Sequence, residues 1–123
     1  MAADLIVPVA LHPRRVKERG YNQAALLARV LGEETGIPVE ERLLMRTRHT
    51  RPQVGLGAHE RRANIADAFT CSHTVDGLAV VVVDDVCTTG ATLEACAAAL
   101  VAVGAAEVRG FTLARARWDA DGP

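Results

Sequence analysis

Four consecutive valines followed by two aspartates, at positions 80–85, constrain this chain more than any other stretch. Residues 80–92 read Val-Val-Val-Val-Asp-Asp-Val-Cys-Thr-Thr-Gly-Ala-Thr. A run of β-branched apolar residues without polar alternation fits a strand buried on both faces, as in a parallel sheet. The carboxylates arrive where such a strand is expected to end. A loop of small, hydroxylated residues follows, and a helical pattern begins at once. Ligands of open α/β sheets bind beyond the carboxyl ends of the strands, and the free amides of a helix N-terminus attract anions. The stretch therefore predicts a phosphate cradle beside a carboxylate pair. Gly90 lets backbone approach an anion closely. Thr88, Thr89 and Thr92 add hydroxyls, and Asp84 and Asp85 suit sugar hydroxyls or Mg²⁺.

Other readings of the same residues fit less well. The chain contains neither a Gly-Lys-Ser/Thr loop nor a Gly-x-Gly-x-x-Gly fingerprint. A response-regulator receiver also ends a strand in an acidic pair, but near its start and with a later phosphoacceptor Asp. Here the pair lies two-thirds along and no later strand ends in Asp. Asp and Thr can also serve merely as caps. Cys87 inside the loop raises a Cys-x5-Arg phosphatase, but no Arg occurs between Cys87 and Arg109. Cys87 is read as a tolerated small residue.

The remaining sequence sets the frame. The chain has 123 residues, half of them apolar, enough for one domain with a full core. Aromatics are 3%, so aliphatic residues must fill that core. A net charge of −1 argues against a general nucleic-acid binder. No membrane-length apolar run and no leader pattern are read, and three cysteines without metal spacing suit reduced thiols, so a cytoplasmic location is expected.

In chain order, 5–11 reads as a strand despite Pro8. A basic connection, 14–20, follows. A helix then begins at Tyr21-Asn22 with a stripe of Leu26, Leu27, Val30 and Leu31, and ends at Gly36 and Pro38. Residues 39–45 read as a second strand. Residues 46–67 form a long, Arg-rich connection of the kind that often serves as a lid, although 60–68 also suits a short surface helix. His49 and His59 are read as exposed loop residues. Residues 68–71 read as a short strand, and Asp76-Gly77 as a turn. The helix after the central motif shows Leu93, Cys96, Ala97, Leu100 and Val101, with Gly104 as its cap. Residues 107–114 read as the last strand, and Trp118 in the polar tail is unplaced. Nine of the fourteen Lys and Arg fall at 14–19 and 46–62, both after expected strands, where an anion at the sheet edge would meet them.

The motif at 80–92 resembles the phosphoribosyl pyrophosphate (PRPP) signature of type I phosphoribosyltransferases. Val-Pro-Val-Ala-Leu-His-Pro-Arg-Arg with Arg-Gly-Tyr-Asn-Gln-Ala, and Arg51-Pro52-Gln53 with Arg61, Arg62 and Asn64, are similar to the ComF competence family within it. The later segment is also distantly similar to the glutamine-dependent amidophosphoribosyltransferases. The resemblance implies an α/β, doubly wound, mostly parallel sheet of about five strands over residues 1–115, with 116–123 as a tail. It implies transfer of a phosphoribosyl group from PRPP with release of pyrophosphate. Asp84 and Asp85 would hold the ribose as the catalytic pair, and Cys87, Thr88, Thr89, Gly90, Ala91 and Thr92 the 5′-phosphate. Arg19, Gly20 and Arg51 would meet the pyrophosphate, although Asn22 beside them also suits a plain N-cap. Mg²⁺ would come with PRPP, with Asp84 and Asp85 as further ligands and no cage of protein ligands alone. The hood subdomain of such enzymes is expected to be reduced or absent, and no acceptor pocket is recognised. The competing expectation is a non-catalytic PRPP-binding or phosphate-binding module in DNA uptake. A homodimer, DNA-uptake partners and the acceptor stay open.

Overall fold

The computed structural model describes residues 2–10, 22–46, 68–87 and 90–115, and of 86, 87, 114 and 115 the backbone only. Its centre is the valine run. β4 (Ala79–Cys87) pairs in parallel with β1 (Leu5–Pro8) on one side and β5 (Glu107–Arg115) on the other, in the order β1-β4-β5. β2 (Leu44–Arg46) and β3 (Phe69–Cys71) form a separate antiparallel pair. The described residues thus form five strands, three of them in the parallel sheet. Helices α1 (Gln23–Thr35) and α2 (Ala91–Ala102) connect them.

Strand alternation explains the doubly wound arrangement, because successive side chains leave opposite faces. Val80 and Val82, with Leu5 and Val7, pack with Leu44, Phe69, Cys96 and Leu100. Val81 and Val83, with Ile6, pack with Ala28, and Leu27 and Leu31 lie against them. So α2 and the β2–β3 pair cover one face and α1 the other. All four central valines are at most 2% exposed, which is why no polar residue interrupts them. Each contributes roughly 1.5–3 kcal/mol relative to leaving it in water.

Several expectations need correction. β1 ends at Pro8 rather than running to residue 11. Ile6 donates to the Pro38 carbonyl and accepts from the Glu40 amide, so by alternation Pro8's missing N–H also faces away from β4 and no β4 ladder bond is lost. The strand expected at 39–45 shrinks to a single parallel bridge, Ile6 to Val39, and resumes only at β2 after a turn at 41–42. The stripe on α1 is shifted. Ala24, Ala25 and Ala28 are the buried residues, while Leu26 and Val30 are 43% and 54% exposed. Small residues let α1 sit low on the sheet. A Cβ on Gly32 would lie 2.5 Å from Val39 Cγ2, so only glycine allows the helix this close approach to the Val39 bridge. On α2, Ala95 joins Cys96 and Leu100 inside, and Val101 is exposed.

The amino ends of the strands are laced to one another. Asp4 donates its amide to the Ala79 carbonyl and accepts the Ala79 amide on its carboxylate. Gly77 donates to the Gly104 carbonyl, Val75 to Val103 and Ala106 to Leu78. The Asp76-Gly77 turn forms as expected, with Gly77 at φ +75°. The cap of α2 is Val103, with the left-handed residue, Gly104, one position later. Among the described residues no helix is long and apolar enough to cross a membrane.

Candidate functional site

The two aspartates lie inside β4, not beyond it, because the strand continues to Cys87 alongside β5. Among the described residues, however, no strand pairs with them on the β1 side. Pro8, the last residue of β1, pairs with Val83, so Asp84 is the first residue of β4 without a β1 partner. Thr112 of β5 stands opposite it. The Asp85 amide donates to Asp84 Oδ1 at 2.9 Å. Burial pushes the Asp84 carboxyl up to about 6, and its hydrogen bond with the Asp85 side chain adds to the rise. The Asp85 amide and the positive charge of Arg46 oppose it. An acid held this way is readily stabilised by hydroxyl donors or a cation.

The first turn of α2 adds the second element. Gly90 caps it in the left-handed region, at φ +83°, and as glycine supplies no side-chain cap bond of its own. Among the described residues a Cβ there would meet nothing within 4 Å. Ala91 and Thr92 begin the helix, both partly buried. Cys87 lies at the end of β4, its backbone paired with Arg115. Thr88, Thr89, Arg19, Gly20 and Arg51 lie outside the described residues. The structure thus brings Asp84, Asp85, Gly90, Ala91 and Thr92 to one carboxyl edge.

Two side chains anchor this edge, both at the exit of β1. Asn22 accepts the amides of Ala24 and Ala25 at 3.0 and 3.4 Å, and its Nδ2 donates to the Val9 carbonyl at 3.2 Å. It is an N-cap and a tether at once. Arg46 Nε donates to the Ala10 carbonyl at 3.0 Å, and the guanidinium lies 4.7 Å over the Phe69 ring. The sequence placed Arg46 only within an Arg-rich run. Its direct attachment to Leu43-Leu44-Met45 was the signal that it ends a strand rather than joining a loop.

The thiols are structural. Cys96 is fully buried and its thiol is pushed up to about 12 by burial. Cys71, also raised by burial, donates to the Ala99 carbonyl at 3.6 Å, and both are free cysteines. Among the described residues no group of three or more His, Cys, Asp or Glu could hold a metal. Two adjacent carboxylates at an open edge fit Mg²⁺ only as part of a shell that a phosphorylated ligand completes.

A parallel sheet with an acidic pair at its carboxyl edge and a glycine-led helix beside it defines an open α/β domain. The chain belongs to the phosphoribosyl transferase domain family, whose model matches residues 16–121. It is 39% identical to competence protein F of Haemophilus influenzae over 92% of its own length and 51% of that protein. It is 40% identical to the DNA utilization protein YhgH of Salmonella typhi, over 91% of its length and 49% of that protein. Competence protein ComFC of Bacillus subtilis is 36% identical over 90% and 44%. The chain spans about half the length of these relatives. In fold it is similar to the glutamine PRPP amidotransferase of B. subtilis, solved with ADP and GMP. The TM-score is 0.59 at 24% identity, over 92% of this chain and 23% of that one.

Proposed function

We propose that this domain binds PRPP with Mg²⁺ and transfers its phosphoribosyl group to a nucleophile, releasing pyrophosphate, in the cytoplasm. The observation that carries the reading is the juxtaposition of Asp84 and Asp85 with the open Gly90 turn at one sheet edge. The carboxylates accept the ribose hydroxyls, and the first-turn amides of α2, with the hydroxyls of Thr88, Thr89 and Thr92 and the backbone of Cys87, hold the 5′-phosphate. The bond from C1 to pyrophosphate breaks as the nucleophile bonds to C1 and sheds its proton. No side-chain nucleophile is needed. The chain holds the sugar so that positive charge develops at C1 beside two carboxylates. Mg²⁺, when bound, neutralises the departing pyrophosphate. Arg19, Gly20 and Arg51 take the pyrophosphate end.

A second reading is a PRPP-binding module without turnover. The names of the relatives, a competence protein and a DNA utilization protein, favour it. Titration calorimetry with PRPP and Mg²⁺ tests the binding site common to both. Asp85→Asn should weaken PRPP about a hundredfold, the worth of two charge-assisted hydrogen bonds, and unchanged affinity would remove the ribose role. Pyrophosphate release with nucleobases or ammonia separates the enzyme from the module.

A further inference from the structure

The β1 exit is held from both sides, and only one of the two holds is explained by helix capping. Asn22 takes the Val9 carbonyl from the α1 side while capping α1. Arg46 takes the Ala10 carbonyl with Nε and lays its guanidinium over Phe69, its partner in the β2–β3 register. Asp84 leaves β4 on the face of Val80 and Val82, the face that packs with Phe69 and Cys96. It also follows the residue paired with Pro8, so it lies beside the carbonyls that Asn22 and Arg46 hold.

We propose that Arg46 is a positioning residue for the acidic pair. Clamped between the Phe69 ring and the Ala10 carbonyl, its guanidinium fixes the Asp84 carboxylate toward the sugar hydroxyls. Two features give this geometry its effect. A guanidinium is rigid, and stacking on an aromatic face leaves it little freedom to follow a ligand. It therefore acts as a fixed charge. The guanidinium lies over Phe69, and Phe69 and Cys96 pack with Val80 and Val82, the face that Asp84 shares by alternation. The role rests on the phosphoribosyl reading, because it gives Asp84 the ribose hydroxyls as partners.

The test compares two probes on the full chain, ribose 5-phosphate and inorganic phosphate, by calorimetry. Arg46→Met keeps length and a contact with Phe69 but removes the charge. It should weaken ribose 5-phosphate about tenfold, within the range of couplings between neighbouring groups, and leave inorganic phosphate unchanged. Arg46→Lys should recover part of the loss. Equal weakening of both probes means that Arg46 only supports the fold or meets the phosphate itself, and overturns the proposal, as does no weakening of either. If the wild-type chain binds neither probe, the phosphoribosyl reading is what fails. A crystal structure of Arg46→Met then decides the residue's role independently. A turned Asp84 carboxylate supports positioning, and an unmoved one refutes it.

Discussion

The two helices begin at the same edge of the sheet, each after a parallel strand, and they begin in opposite ways. The N-terminus of α1 is closed. Asn22 occupies two of its amides and ties the turn to Val9. The N-terminus of α2 begins at Gly90, which offers no side-chain cap, and among the described residues nothing stands within 4 Å of where its Cβ would be. A side-chain cap is worth about 1 kcal/mol to a helix; Asn22 supplies one and Gly90 has no side chain to do so. The carboxylates lie on the glycine-led side. On the proposed function, the contrast separates a helix start that serves the fold from one that meets the ligand.

Three substitutions test that contrast. The largest effect is expected from Asn22→Ala, which removes both caps and the tether. It should cost about 2 kcal/mol in urea unfolding and leave PRPP affinity within twofold, as the closed end takes no part in binding. Gly90→Ala should do the reverse. A left-handed alanine costs about 1 kcal/mol, while the added methyl, projecting into the open space, should weaken PRPP more than its stability cost alone accounts for. An equal loss of affinity in both variants would erase the distinction. The smallest effect concerns Asp84. Its folded-state carboxyl titrates near 6, above the ordinary 3.8, so the folded state holds the proton more tightly than the unfolded. The stabilisation from protonation is full below about 4 and is lost as pH rises through 6. Asp84→Asn should therefore stabilise the protein at pH 7.5 by about 1 kcal/mol, a two-unit shift reduced for partial exposure. Thermal melts should show the gap closing toward pH 4.

How much of this was legible follows from what each residue depends on. The valine run and the turn chemistry at Gly36 and Gly77 were readable because local sequence decides them. The inner stripe of α1 was not. Leu26 and Val30 have the right spacing, but the face turned inward carries Ala24, Ala25 and Ala28 with Leu27 and Leu31 beside it, a rotation that tertiary packing and not local spacing decides. The end of β4 was misjudged for a similar reason. Asp84 and Asp85 look like strand breakers, yet β5 continues beside them and keeps the strand extended. Arg46 was hidden among five arginines. Its partner carbonyl is 36 positions away, a separation no local pattern conveys. The basic residues expected to meet pyrophosphate lie outside the described residues.

The laced amino ends of the strands have a mechanical consequence. Asp4, Ala79, Gly77, Gly104 and Ala106 tie three strand starts into one floor, mostly through backbone bonds, with the Asp4 carboxylate and the left-handed Gly77 and Gly104 as its fixed side-chain requirements. Such a floor holds the three strands in register from below, so the opposite rim can be altered by substitution without loosening the strands that carry it.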